Sequence, residues 1–233
     1  AMELGLVDAD TIVDTTSPLT WGRFRIRDFR NYGAQNSVTK VIVKSSNVGT
    51  ARIAMQIGAE RQRDFLGQLG LLQATPVELI EAPTGAPLLP SNWSEISTMT
   101  ISYGHGLSSS PLHLAAAYAA MVNGGTKVAP TLLRNPDPQP GPRVISAAVS
   151  QSVVDMLRAT VTEGTASMGD VAGYAVGGKT GTADKPRAAG GGYYDDKVIA
   201  TFASVFPASD PQYVLITTLD EPVETSGTEP RRT

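Results

Sequence analysis

The spacing of hydrophobic side chains changes along the chain, and each change marks an element. Ser37 is a plausible N-cap for a short helix running through Lys44. In the NVGTARIAMQIG that follows, Val48, Ala51, Ile53, Ala54 and Met55 fall near helical spacing. Residues 38 to 57 therefore predict two helices broken around Ser45 to Asn47. A further helix is expected around Ala59 to Leu69, and Pro76, Pro83, Pro87 and Pro90 then mark an irregular connection. Ser110-Pro111 gives a capping hydroxyl followed by a proline at the first helical position, Asn123-Gly124-Gly125 gives a stop, and the apolar residues between predict a buried helix. An amphipathic helix is expected from about Ser146 to Glu163, ended by Gly164.

The period then shortens. YAVGGKTGTA, KVIATFASVF and QYVLITTLD, separated by Gly-rich and PASDP turns, read as three strands of an antiparallel meander. Near the start, Asp14 to Gly33 is loop-like, with Phe24, Ile26 and Phe29 against Arg23, Arg25 and Arg27, as in small strands or turns. Helices first and a sheet last predict an α+β (mixed α/β) architecture, with a helical part at about 34–165 and a sheet part at about 173–221. AMELG reads as the end of a helix with no N-cap before it, and EPVETSGTEPRRT as a polar stretch that does not close the sheet. The expectation is a partial domain, incomplete at both ends.

Composition narrows the chemistry. With 41% hydrophobic residues in 233, the chain can bury a core. A net charge of −3 argues against a nucleic-acid partner, whose signature is a clustered excess of Lys and Arg. No cysteine is present, so disulfides and thiolate chemistry are excluded, and two histidines without partners at ligand spacing give no metal site. The longest apolar stretch, Leu112 to Val122, is interrupted by His113 and falls short of the ~20 residues of a membrane span.

Two constellations remain. Lys44-Ser45-Ser46-Asn47 sits at the break between two helices, where a hydroxyl at 45 and an amide at 47 can face one cleft, although Ser and Asn also cap helices. Gly177-Gly178-Lys179-Thr180-Gly181-Thr182-Ala183 puts a lysine in a strand among glycines, which suggests close approach of another backbone. An extended peptide-like ligand can lie along such a strand, its carboxylate met by Lys179 and the threonine hydroxyls, and a carbonyl oxygen held by backbone N–H groups. Residues 173–180, GYAVGGKT, also match the phosphate-loop pattern, but the GTADKP that follows cannot begin a good helix.

S-x-N followed by K-T-G, more than half the chain apart, resembles the serine penicillin-recognising enzymes, whose third motif is S-x-x-K. RDFRNYG (27–33), VKSSNVG (43–49), SYGHGLSSSPLHLAAAYAAMVNGG (102–125), GYAVGGKTGTA (173–183) and KVIATFASVFPASDPQYVLITTLDEP (197–222) are similar to the class B, division-type peptidoglycan transpeptidases. The resemblance implies the penicillin-binding-protein/β-lactamase-like fold, an antiparallel sheet flanked by a helical subdomain. It implies that Ser45 relays a proton toward the leaving amine and Asn47 holds a side-chain amide of the donor peptide or β-lactam. Lys179 would supply positive potential, Thr180 and Thr182 would contact the carboxylate, the Thr182 N–H would form half of an oxyanion hole, and Gly181 would let substrate approach.

Ser37-Val38-Thr39-Lys40 is a literal S-x-x-K, but Ser37 stands about 12 Å from Ser45 along a helix, too far for a nucleophile and its relay. Capping is its expected role, and the nucleophile is expected upstream of Ala1, so that these residues alone would be inactive. The resemblance also implies a D-Ala-D-Ala stem peptide and β-lactams as ligands, no cofactor, division-complex membrane proteins as partners, and a bacterial membrane-anchored protein facing the periplasm or cell exterior. Alternatives are a D,D-carboxypeptidase or β-lactamase on the same fold, or a non-catalytic peptide-binding scaffold. His105 reads as a turn residue, His113 as surface or packing, and Tyr193 and Tyr194 as a hairpin tip.

Overall fold

A computed structural model describes residues 1–75, 77–81, 85–187 and 192–223. Two short antiparallel ribbons come first: β1 (Ile12–Asp14) pairs with β4 (Gln35–Ser37), and β2 (Leu19–Trp21) with β3 (Phe24–Ile26). Six α-helices follow among the described residues: α1 (Val38–Val43), α2 (Asn47–Ile57), α3 (Ala59–Gln68), α4 (Glu95–Ile101), α5 (Pro111–Val122) and α6 (Ala147–Glu163). The chain then enters an antiparallel meander, β5 (Gly177–Pro186), β6 (Tyr193–Phe206) and β7 (Tyr213–Asp220), in the order β5-β6-β7. This is the mixed α/β architecture expected. Pro76, Pro83 and the polar tail from 224 onward lie outside the described residues.

The boundaries follow local chemistry. Ser37, Ser46, Ser94, Ser110 and Ser146 each accept a backbone N–H three residues on, satisfying one of the orphan donors of a first helical turn. At α5 the box is reciprocal: the Ser110 N–H donates to the ring Nδ1 of His113 at the third helical position. His113 is buried, its Nε2 2.8 Å from the Gln73 carbonyl, so it packs rather than faces solvent. α4 gave no signal in the sequence because it is seven residues long; only Thr98, Met99 and Ile101 of it are buried. Residues 1–6 form no full helix, but Leu6 N–H bonds to Ala1 O and Gly5 N–H to Met2 O with Gly5 at φ 63°, which is the bonding of a helix C-terminus.

One core cluster, with Val122, Val154, Leu157, Val205 and Ala208, seats α5 and α6 on the sheet. A second, with Val7, Val13, Val38, Val41, Ile53 and Met156, joins α1, α2 and α6 to β1. α6 belongs to both and so connects the halves of the molecule. Its C-terminus abuts that of α1: a Cβ at Gly164 would lie 2.5 Å from the Val43 carbonyl oxygen, so only glycine fits. Among the described residues no helix is long and apolar enough to cross a membrane.

Candidate functional site

The turn between α1 and α2 is built from two overlapping caps. Ser46 N–H bonds to Val41 O (2.9 Å) and Ser45 N–H to Ile42 O (3.1 Å), which closes α1 by the motif that places a left-handed residue just past the helix. That residue is Ser45, at φ 58°, where glycine is the usual occupant. Ser46 then caps α2, its Oγ accepting from Gly49 N–H at 3.0 Å. The sequence had left Ser45 and Asn47 as possible caps, but Ser46 performs that work, and the Ser45 hydroxyl stays available to the cleft.

Lys179 arrives from β5. Its Nζ donates to Ser45 Oγ and to the Thr180 carbonyl, both at 2.8 Å. These acceptors are a hydroxyl and a carbonyl rather than a carboxylate, so the ammonium meets no formal countercharge there. Burial alone brings its pKa down, from the ordinary lysine value of 10.5 to about 8.

The three glycines of β5 have different surroundings. A Cβ at Gly177 would press on the α6 backbone, and one at Gly178 would meet the Phe202 ring at 2.6 Å, whereas nothing lies within 4 Å of Gly181. Close backbone approach, expected at all three, is thus α6 at the first, β6 at the second and open space at the third. β5 also emerges as it runs: Gly178 is buried, Lys179 and Thr180 half-buried, and Gly181 through Asp184 exposed. Among the described residues it is the edge strand of the sheet, with β6 as its only strand neighbour. Its outer backbone groups therefore face the cleft, as a template for an extended ligand.

Ser45, Asn47, Lys179, Thr180, Gly181 and Thr182 all line one cavity of about 1200 Å³. The Thr180 hydroxyl donates to Thr165 Oγ1 (3.1 Å), just beyond α6, and the Asn47 amide donates to the Arg27 carbonyl (3.1 Å). The cavity is polar along this wall and apolar further in, where Val41, Met121, Val153 and Met156 line it. Ser37 is not among its lining residues. Its Oγ accepts from Lys40 N–H at 3.3 Å, an ordinary N-cap. The phosphate-loop pattern also dissolves, because Lys179 and the residues directly after it lie within β5, where a phosphate loop would begin a helix.

Outside the cavity, His105 sits between Gly104 and Gly106, both at positive φ, with its ring 5.7 Å from that of Tyr193. Tyr193 and Tyr194 begin β6, and Lys197 Nζ stands 5.0 Å from the Tyr194 ring centre. Sequence reasoning missed Asp28, whose carboxylate accepts from Ser46 Oγ–H (2.8 Å) and Val48 N–H (3.0 Å). It lies within RDFRNYG (27–33), one of the stretches that carry the family resemblance, but no role is assigned to it there. Thr165, without any motif around it, gave no signal.

This fold and this cleft match one family throughout. The profile described as penicillin binding protein transpeptidase domain covers residues 1–232, and the chain belongs to that family. Over 99% of its length it is 36% identical to penicillin-binding protein PbpB of Mycolicibacterium smegmatis, of which it covers 38%. It is 35% identical to a probable peptidoglycan D,D-transpeptidase FtsI of Caulobacter vibrioides, with 95% of the chain and 39% of that protein covered. The chain thus spans well under half the length of these relatives. The apo transpeptidase domain of Burkholderia pseudomallei penicillin-binding protein 3 superposes with a TM-score of 0.88 at 34% identity, covering 98% of this chain and 69% of that one. Penicillin-binding protein 3 of Mycobacterium tuberculosis complexed with aztreonam gives 0.86 at 34% identity, covering 95% and 53%.

Proposed function

We propose that the whole protein is a peptidoglycan D,D-transpeptidase of the bacterial envelope and that Ser45, Asn47, Lys179, Thr180, Gly181 and Thr182 are its substrate-facing residues. The observation that carries this reading is the 2.8 Å bond from Lys179 Nζ to Ser45 Oγ beside an open edge strand. An extended stem peptide ending in D-Ala-D-Ala adds along β5. Its terminal carboxylate meets the hydroxyls of Thr180 and Thr182 and the field of Lys179. The amide of Asn47 holds a donor side-chain carbonyl, and the absence of a side chain at Gly181 lets the peptide close on the strand.

A serine hydroxyl adds to the carbonyl of the penultimate D-Ala, the peptide bond breaks, and the terminal D-Ala leaves as an amine after taking a proton through Ser45. The resulting ester then passes its acyl group to an amine of a second stem peptide, which frees the serine. A β-lactam acylates the same serine by opening its ring. The cap of α1 occupies Ser37, so we assign the nucleophile and its base to chain outside these 233 residues, which by themselves are inactive. Membrane anchorage, an extracytoplasmic position and division-complex partners belong to the same proposal and rest on the family resemblance alone. A D,D-carboxypeptidase or β-lactamase differs in letting water accept the acyl group, and a peptide-binding scaffold in forming no acyl-enzyme.

The test is fluorescent penicillin added to the full-length protein. Covalent label is expected, reduced on the order of 100- to 1000-fold in rate by Lys179→Ala without loss of fold. A folded full-length protein that takes no label overturns the reading.

A further inference from the structure

We infer that Asp28 is a positioning residue for the proposed acylation: its carboxylate holds the Ser45–Ser46–Asn47 turn in register with Lys179. The inference rests on the function proposed above and adds a residue to it.

Asp28 follows β3 and lies nineteen residues before Asn47 in the chain, yet both of its oxygens are spent on the turn. Oδ1 accepts from Val48 N–H at 3.0 Å and Oδ2 from Ser46 Oγ–H at 2.8 Å. Val48 is the second residue of α2, so the carboxylate satisfies an orphan donor and places negative charge at the positive end of the helix. Ser46 is 2% exposed, and its hydroxyl donates to Asp28 while accepting from Gly49 N–H, which leaves it no freedom to rotate. Next to it, the Asn47 amide is tied to the carbonyl of Arg27, the residue before Asp28. One short segment therefore grips the three residues that follow Ser45 and so fixes the chain where it leaves the φ 58° turn.

A serine in that conformation persists only where its surroundings over-determine it. With the carboxylate gone, a buried hydroxyl and a buried N–H lose their acceptor, and the turn can recover bonds only by moving. The movement carries Ser45 Oγ away from Lys179 Nζ. Asp28 does not line up with the reacting atoms itself; it acts through Ser46 and Val48.

The experiment compares Asp28→Ala, Asp28→Asn and Ser46→Ala in the full-length protein, measuring the limiting rate of acylation by a β-lactam separately from its non-covalent dissociation constant. Asp28→Ala is expected to lower the limiting rate about 10- to 100-fold, the range for removing a group that orients a reacting one, with the dissociation constant within about twofold of the parent. Asp28→Asn keeps an oxygen for Val48 N–H and can donate its amide N–H to Ser46 Oγ in place of accepting from it, so it is expected to recover part of the rate, because the carboxylate supplies position more than charge. Ser46→Ala should fall with Asp28→Ala, and combining the two should add little.

An Asp28→Ala protein that acylates at the parental rate, or one that weakens binding and leaves the limiting rate alone, overturns the inference. If the parent is never acylated, the functional reading fails instead, and a crystal structure of Asp28→Asn and Asp28→Ala then decides the inference. Ser45 still left-handed and bonded to Lys179 in the alanine variant refutes it; a displaced Ser45, restored by asparagine, sustains it.

Discussion

The two ends of α1 each carry a serine, and the two are used in opposite ways. Ser37, at φ −66° and ψ 159°, has the extended backbone of an ordinary N-cap, and its hydroxyl accepts from Lys40 N–H. Ser45 stands at φ 58° in a position where chain stability alone favours glycine, and its hydroxyl caps nothing. It accepts instead from Lys179, brought from the far end of the sequence. A local bond at one end stabilises the helix; a strained backbone at the other aims a hydroxyl into a cleft. The contrast teaches that a motif match and a site differ in what the side chain is left free to do.

Breaking each serine separately gives the largest effect. In the full-length protein Ser45→Ala is expected to slow acylation by a β-lactam on the order of 100- to 10,000-fold, the range of a positioned proton carrier. Ser37→Ala should leave that rate unchanged. The comparison fails if the two variants acylate alike, whichever way they move.

How far each end was legible follows from the same difference. Ser37, Ser110 and Ser146 act within a few residues of themselves, so local pattern located α1, α5 and α6 to within a residue or two. Glycine spacing and apolar alternation likewise gave the β5-β6-β7 meander. Ser45, Asn47, Lys179, Thr180, Gly181 and Thr182 were identified by motif, and they line one cavity. Invisible beforehand was everything that depends on contacts distant in sequence: the left-handed turn, the Asp28 brace, the Thr165 partner of Thr180, and the assignment of the α2 cap to Ser46. α4 escaped because one short helix has too few positions to show a period. These are tertiary facts, and no local window contains them.

Lys179 sharpens the comparison through pH. Its pKa of about 8 lies below the 10.5 of an exposed lysine, so between these values the unfolded chain binds more protons than the folded one. The contribution of this residue to stability must therefore rise with pH across that window, whereas below about 8 both states carry the proton and the folded state holds a buried cation at a constant cost. Lys179→Met is expected to raise the thermal midpoint at pH 7 and to flatten the difference between pH 8 and 10 while slowing acylation as Lys179→Ala does. Ser37→Met offers no such gain, having no buried charge to relieve. A Lys179→Met protein less stable than its parent at pH 7 contradicts the account, as does a lysine amine that NMR finds titrating at the ordinary value.

The smallest effect separates backbone from hydroxyl at the strained end. Ser45→Gly removes the same oxygen as Ser45→Ala but also releases the left-handed strain, so it should be more stable than the alanine variant by about 1 kcal/mol in denaturant unfolding. Both should be equally poor at acylation, because neither offers Lys179 a hydroxyl. At the relaxed end the order inverts: Ser37→Ala is expected to cost about 1 kcal/mol and Ser37→Gly only a few tenths, since glycine leaves the cap position open to water. Glycine thus helps at one end by suiting the backbone, and at the other is merely the milder loss. If Ser45→Gly proves no more stable than Ser45→Ala, the conformation at 45 carries no strain, and the case that the turn sacrifices stability to aim its hydroxyl at Lys179 collapses.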